Sequence, residues 1–355
     1  MTVLLYRPSL DFTSGAGQLM HMQLRALRAA GVRAEIGCER GALRFLLRSG
    51  TAARWLRATA VRVTPPGWLL VDHGLCAPNA AIVFVHNVAT EANEHLPRAD
   101  WLSLSAAERN FFAELPASTP VIANSRLVKA ALVKHFAREP EHILVHYPGF
   151  RSARFTPTRA AALRSKARRA LGVRPDAPLV GMITSGDFAK RGLDIFLAAA
   201  ELIAAARPDV RFLVVGSKQL PAAAREHALF ANGRVVYRAK RRDPELWFAA
   251  LDLFLYPARF EEFGMVVSEA QAIGLPVVTS RLVGAAECLP PAYERWLCDR
   301  ADAAEFAERA LALLADEAAR RELAQSGIAN ASRYDDRAYA SATVALIAAQ
   351  KRRLK

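Results

Sequence analysis

No stretch of this chain is apolar for long enough to cross a bilayer. Continuous apolar runs such as residues 80–85 and 212–215 fall far short of the ~20 residues a membrane helix needs. The opening residues, MTVLLYRPSLDF, show no basic start followed by an apolar core, which argues against a secretory leader. Cysteine is scarce. Cys38, Cys76, Cys288 and Cys298 stand far apart with no Cys-x-x-Cys pair, which excludes a disulfide frame or a zinc knuckle and predicts reduced thiols in a cytoplasmic protein. Asp-x-Asp is absent, as are His-Glu-x-x-His and a Walker lysine loop, so the expectation is chemistry with no metal and no cofactor. Acidic residues are the minority charge, 34 against 48 Lys and Arg, for a net +14.

What is present points to a large, ordered core. The 355 residues are 52% hydrophobic and 23% charged, enough for about two domains at 100–200 residues each. The positive excess is concentrated. Residues 151–174 hold eight basic side chains and no acidic one, and Arg238-Ala-Lys240-Arg241-Arg242 and Lys351-Arg-Arg-Leu-Lys355 are further clusters. Such patches suit an anionic partner, whether phosphates, nucleic acid or an acidic lipid leaflet, or they are solvated helix faces. The basic runs lack interleaved aromatics and any recognisable module, which argues against nucleic acid.

Apolar runs and glycine loops alternate along the chain. Strands are expected at 2–6, 33–37, 80–86, 120–123 and 142–146, with helices at 18–30 and 125–136. The pattern restarts with strands at 179–183, 211–215, 234–237, 253–256 and 276–279. Helices are expected at 193–206, 245–250, 266–273, 301–331 and 339–354. Two successive runs of this kind predict an α/β chain of two doubly wound domains with mostly parallel sheets. Their boundary is expected in the Pro-, Arg- and Ala-rich stretch near 150–176. Ligands of such sheets sit beyond the carboxyl ends of the strands. The loops at Gly15–Gly17, His86, Gly149, 186–192, 216–218, 238–242 and 259–264 all follow strands, and two facing domains would line one cleft with them.

Several of these loops carry chemistry. In Ser185-Gly186-Asp187-Phe188-Ala189-Lys190-Arg191-Gly192 two adjacent cations precede a helix. Uncapped helix N–H groups together with Lys190 and Arg191 would clamp a diphosphate. In Glu261-Glu262-Phe263-Gly264-Met265-Val266-Val267-Ser268-Glu269, two acids straddle a helix start, and Gly264 permits close backbone approach. Carboxylates so placed would bind the hydroxyls at two ends of a polyhydroxylated ligand. The alternative is a favourable charge near a helix start. Gly15-Ala-Gly17 lacks the third glycine of a dinucleotide fingerprint, which would fall at Met20. A dinucleotide-dependent oxidoreductase, with Glu35 or Glu39 as its ribose-binding acid, is the rival of another class. His86 reads either as a structural or as a site histidine.

At these residues the sequence resembles the family 4 retaining glycosyltransferases of the GT-B fold. The spacing Glu-x₇-Glu is present in EEFGMVVSEAQAIGLPVV. The likeness extends through VIANSRLVKAALVKHFAREPEHILVHYPGF, ITSGDFAKRGLD, FLVVGSKQ and LDLFLYPARFEEFGMVVSEA, roughly residues 120–300. Within the family the nearest likeness is to lipopolysaccharide-core α-1,3-glucosyltransferases, which use UDP-glucose. GDP-mannose, ADP-heptose and UDP-N-acetylglucosamine stand as alternative donors.

The resemblance implies a Rossmann-like acceptor-side domain over 1–155, a nucleotide-sugar-binding domain over 156–335, and a final helix over 336–355 that packs back on the first domain. It implies that Glu261 contacts the donor sugar, that Glu269 holds the ribose, and that Lys190 and Arg191 bind the diphosphate with Arg154 as a third cation. Gly186, Phe263, Gly264, Met265, Lys218, Gly15 and Gly17 would line the donor, and His86 would lie on the acceptor side. Glu262 stands where many members have glycine. The implied partners are a nucleotide-sugar, a glycan or glycolipid acceptor and an anionic membrane surface, with the protein on the cytoplasmic side.

Overall fold

In the computed structural model, residues 1–9, 14–38, 53–55 and 67–353 are described, and the chain divides into two compact units. The first is Met1–Gly149 with Asp336–Lys355, the second Phe150–Asp335. The boundary expected at 155/156 therefore moves to 149/150. The reason is local: Phe150 bridges to Asp335, and the Phe155 ring packs edge-on between Phe150 and Phe248 at 6.5 and 6.0 Å.

Among the described residues the first unit holds seven strands: β1 Thr2–Tyr6, β2 Ala34–Cys38, β3 Ala53–Trp55, β4 Trp68–Asp72, β5 Ile82–Val85, β6 Val121–Ala123 and β7 Ile143–Val145. Every pairing is parallel, in the order β3-β2-β1-β4-β5-β6-β7. Along β1 the side chains alternate between two cores. Val3 and Leu5 join Met20, Leu24 and Leu27 of helix Gly15–Ala29, while Leu4 and Tyr6 join a cluster with Phe111, Phe112, Val128 and Leu132. Both faces are covered, which is why the strands read as continuous apolar runs.

The last helix, Asp336–Arg353, returns to this unit and packs against helix Gly15–Ala29. Gln23 Nε2 donates to the Tyr339 hydroxyl at 2.7 Å, His146 stacks on Tyr339 at 4.4 Å, and Ile347 is buried in the core.

The second unit holds β8 Leu179–Ile183, β9 Arg211–Gly216, β10 Val235–Ala239, β11 Leu253–Tyr256 and β12 Val277–Thr279. They form a parallel sheet in the order β10-β9-β8-β11-β12. In both units the strand order reverses once, between β1 and β4 and between β8 and β11. Ligands of doubly wound sheets bind at such reversals, beyond the carboxyl ends of the strands.

Three features differ from the sequence reading. The basic stretch at the expected boundary is mostly the helix Pro157–Leu171, started by the Thr156 hydroxyl accepting from Arg159 N–H at 3.2 Å and stopped by Gly172 at φ 68°. Four cations of the stretch pair with acids: Arg154 and Arg159 with the buried Glu245, and Arg164 and Arg168 with Asp252. Arg168 is buried, whereas Arg151, Arg159, Lys166, Arg169 and Arg174 remain exposed.

Strand β4 and the helices Ala89–His95 and Ala99–Glu114 went unread. The buried face of the second helix includes Ser105 and Glu108, which blurs its apolar stripe. Glu108 is buried for a reason the local pattern does not carry: its carboxylate accepts from the N–H groups of Ala89 and Thr90, at 2.6 and 2.9 Å, and so caps the neighbouring helix. Finally, the helix expected over 301–331 is two, Ala303–Ala315 and Glu317–Ala331, with Asp316 capping the second. Among the described residues no helix is long and apolar enough to cross a membrane.

Candidate active site

The two motifs with the densest chemistry follow the two strands at the reversal of the second sheet. The loop after β8 carries Gly186, Lys190 and Arg191, and the loop after β11 carries Glu261 and Glu262. Main-chain bonds knit the loops together: Arg259 N–H donates to Lys190 O at 3.0 Å, and Arg259 also grips Asp194 through both guanidinium NH groups. Gly192 lies so close to Pro257 that a Cβ there would sit 2.0 Å from its carbonyl oxygen, and its φ of 71° is itself one that side chains disfavour. The acid loop is also pinned on its other side, with Glu261 N–H bound to Leu282 O at 2.9 Å and Gly284 N–H bound to Glu261 O at 3.0 Å.

This frame brings Lys190, Arg191, Glu261 and Glu262 into one ion-pair network. Arg191 Nε pairs with Glu261 Oε2, which also accepts from the Tyr256 phenol at 2.8 Å. Lys190 Nζ lies 2.6 and 2.7 Å from the two oxygens of Glu262 and 5.5 Å from the centre of the Phe260 ring. All four side chains are buried or nearly so. Burial opposes the Arg191 charge, but Glu261, then Tyr256, Glu262 and Asp187, outweigh it and hold the guanidinium above its ordinary pKa. Arg191 Nη1 is buried with no hydrogen-bond partner, and its guanidinium lies against Gly186, where a Cβ would stand 3.3–3.5 Å from it. A buried donor of this kind suits an incoming anion.

At the start of helix Leu193–Ala206 Gly192 offers no side-chain cap, and the loop before it satisfies its own N–H groups. Asp187 Oδ1 takes the N–H groups of Ala189 and Lys190 at 2.8 and 3.3 Å. The N–H groups of Arg191, Gly192 and Leu193 bond to Asp187, Ala189 and Phe188 carbonyls. The loop satisfies itself because a tight turn supplies its own acceptors. No side chain caps the other helix, Met265–Ala272, whose N-cap Gly264 has φ 89°. Its first residue, Met265, is half-buried, and Phe263 is buried with its carbonyl accepting from Ala285 N–H at 2.7 Å.

The remaining expected donor residues are placed apart from the quartet. Glu269 lies within helix Met265–Ala272, half-buried by surface area yet crowded by protein. Burial, opposed by Arg154 and Arg151 and reinforced by Glu245, pushes its carboxyl up to about 8. Arg154 itself is engaged with Glu245, its Nη2 also donating to Arg242 O at 2.6 Å, so it belongs with Glu269 rather than with Lys190. Lys218, after β9, is exposed.

In the first unit the reversal carries histidines. His73 follows β4 and His86 follows β5, and His73 Nδ1 lies 2.9 Å from His86 Nε2 with the rings stacked at 5.2 Å. Burial, then the positive field of Arg7, pushes His86 down to about 3; burial, His86 and Arg7 lower His73 likewise. Both imidazoles are therefore neutral near pH 7. The sequence reading missed His73, because nothing local links it to His86. Gly15 and Gly17 are not a free turn but the first turn of helix Gly15–Ala29, where the Ser14 hydroxyl accepts from Gly17 N–H at 3.2 Å. Glu35 lies in β2, and Glu39 lies outside the described residues, as do Leu354 and Lys355 of the basic tail.

Among the described residues, Glu91, Glu94 and His135 bring metal-type donor atoms within 4.8 Å of one another. Lys134 Nζ lies 3.2 Å from Glu91 Oε2 and also contacts Glu94, so an ammonium already answers those carboxylates.

Comparison with known proteins places this geometry. Residues 177–316 match the family model described as glycosyl transferases group 1. In three dimensions the chain is similar to Anabaena Alr3699/HepE, solved in complex with UDP-glucose, with TM-score 0.78 and 20% identity over 98% of this chain and 100% of that one. It is similar to WaaG, a glycosyltransferase involved in lipopolysaccharide biosynthesis, with TM-score 0.71 and 19% identity over 97% and 99% of the two chains. The fold is GT-B.

Sequence relatives carry a different name. A D-inositol 3-phosphate glycosyltransferase of Arthrobacter sp. (strain FB24) is 30% identical over 60% of this chain and 52% of its own length. The protein of that name from Corynebacterium efficiens is 28% identical over 83% and 70%. The chain spans about half the length of several relatives it matches. The GT-B chain thus has its group 1 match within the second unit, around the quartet.

Proposed function

We propose that this protein transfers a hexose from a nucleoside-diphosphate sugar to a hydroxyl acceptor with retained anomeric configuration and without a metal. UDP-glucose is the preferred donor. The observation that carries the reading is the meeting of Arg191 with Glu261 and of Lys190 with Glu262 at the strand reversal of the second sheet, where Arg191 Nη1 is a buried donor without a partner.

As the bond from C1 to the phosphate oxygen stretches, negative charge grows on the diphosphate and positive charge on the ring. Arg191 and Lys190 would stabilise the first. The uncapped start of helix Met265–Ala272, at Gly264 and Met265, would add its N–H groups. Glu261 would accept from sugar hydroxyls and favour the positive ring. Glu269 would accept from the ribose. The acceptor oxygen bonds to C1 on the face the phosphate leaves, and its proton passes to the departing phosphate oxygen, so no protein base is required. His86, neutral and backed by His73, would serve the acceptor side as a hydrogen-bonding group.

A lipopolysaccharide-core or similar glycan is the acceptor implied by the likeness to WaaG. An inositol phosphate is the second reading, favoured by the names of the sequence relatives. With a lipid-linked acceptor, the protein would dock from the cytoplasm on an anionic leaflet through exposed cations, in a salt-sensitive manner.

A thermal-shift panel of UDP-, GDP- and ADP-sugars tests the donor, since stabilisation follows occupancy. UDP-glucose is expected to raise Tm, and incubation with inositol 3-phosphate or a heptose-terminated core glycan to release UDP and give an α-linked product by NMR. No stabilisation by any nucleotide sugar at millimolar concentration would falsify the reading.

A further inference from the structure

The cation assigned to the donor's diphosphate already holds an anion of the protein's own. Lys190 Nζ sits between both carboxylate oxygens of Glu262, at 2.6 and 2.7 Å, with Lys190 8% and Glu262 1% exposed. The neighbouring pair differs. Glu261 shares one oxygen between Arg191 and Tyr256, and Arg191 keeps Nη1 without a partner. A phosphate can therefore reach Arg191 without displacing Glu261, but it can reach the Lys190 ammonium only by sharing it with Glu262 or drawing it away. The formal charges of the four side chains also cancel.

We propose that Glu262 sets the affinity for the donor by competing with its diphosphate for Lys190. This rests on the nucleotide-sugar reading above. Drawing Lys190 away costs a buried carboxylate its contact with the ammonium, and sharing Lys190 places that carboxylate beside the incoming phosphates. Both costs fall on the bound state and weaken it. Donor binding is thereby held moderate, which favours release of the nucleoside diphosphate after transfer. Glu262→Gln retains the size and one acceptor oxygen for Lys190 but removes the charge.

The test is isothermal titration of the full chain with UDP, comparing wild type, E262Q, K190M and the double variant K190M/E262Q. E262Q is expected to tighten UDP binding by about tenfold, and the gain is expected to vanish in the K190M background, because the competition needs the ammonium. E262A serves as a second variant if E262Q does not give a cooperative unfolding transition. Unchanged or weaker binding in folded E262Q and E262A overturns the proposal, and so does an equal gain with Met at position 190. If wild type binds UDP while these variants show no gain, only the role of Glu262 falls. If neither wild type nor any Glu262 variant binds UDP at millimolar concentration, the nucleotide-sugar reading falls with it.

Discussion

The phenol of Tyr256 donates to Glu261 Oε2 at 2.8 Å, and Arg191 Nε meets the same oxygen. Tyr256 is the last residue of β11, so the end of a central strand fixes the carboxylate in its loop. Burial and Glu261 raise the phenol's pKa well above its ordinary value, which keeps it a donor across the physiological range. Y256F is expected to keep the fold and UDP affinity but lower turnover by about tenfold, the worth of one hydrogen bond to a charged group. Steady-state kinetics with UDP titration checks this; a fall in UDP affinity with unchanged kcat would contradict it.

Glu269 makes stability depend on pH. Its carboxyl is pushed up to about 8 in the folded chain against an ordinary 4.5. Between those values the folded state holds a proton the unfolded state has lost, so this residue's contribution to stability is fully present below pH 4.5 and is lost as pH rises towards and through 8. E269Q should remove that slope, leaving a flatter profile of urea midpoint from pH 5 to 8.5. Parallel profiles for the two proteins would show that Glu269 is ionised throughout.

His86 and His146 act in the opposite direction. Burial, first among the causes, pushes them down to about 3 and about 4. The unfolded chain takes up protons at these histidines below pH 6.5 while the folded chain does not. Their stabilisation is therefore present above 6.5 and lost as pH falls towards 3 to 4. NMR of the imidazole protons should show neither ring titrating between pH 8 and 5. A midpoint near 6.5 for His86 would refute the buried, neutral His73–His86 pair.

Gly192 holds the cation loop against the acid loop. A Cβ would fall 2.0 Å from Pro257 O at φ 71°. G192A is expected to cost about 1–3 kcal/mol of stability and to weaken UDP binding, because the loops must part. Denaturant unfolding and titration check both effects. A variant as stable as wild type would mean that the close approach is absent in solution.

Local sequence determined a good part of this protein. Strands at 179–183, 211–215 and 253–256 were legible as apolar runs, because a parallel strand buried on both faces needs little else. The adjacent cations Lys190 and Arg191 and the spacing of Glu261 from Glu269 were legible because each lies within one loop-helix segment. Tertiary structure decided which charges meet. Lys190 and Glu262 are 72 residues apart and touch only because β8 lies beside β11. Arg154, expected on the diphosphate, instead grips Glu245, and His73 reaches His86 across neighbouring strands. Hydrophobic periodicity records which side of an element is buried, but an ion pair depends on strand order, and strand order is written in no single segment.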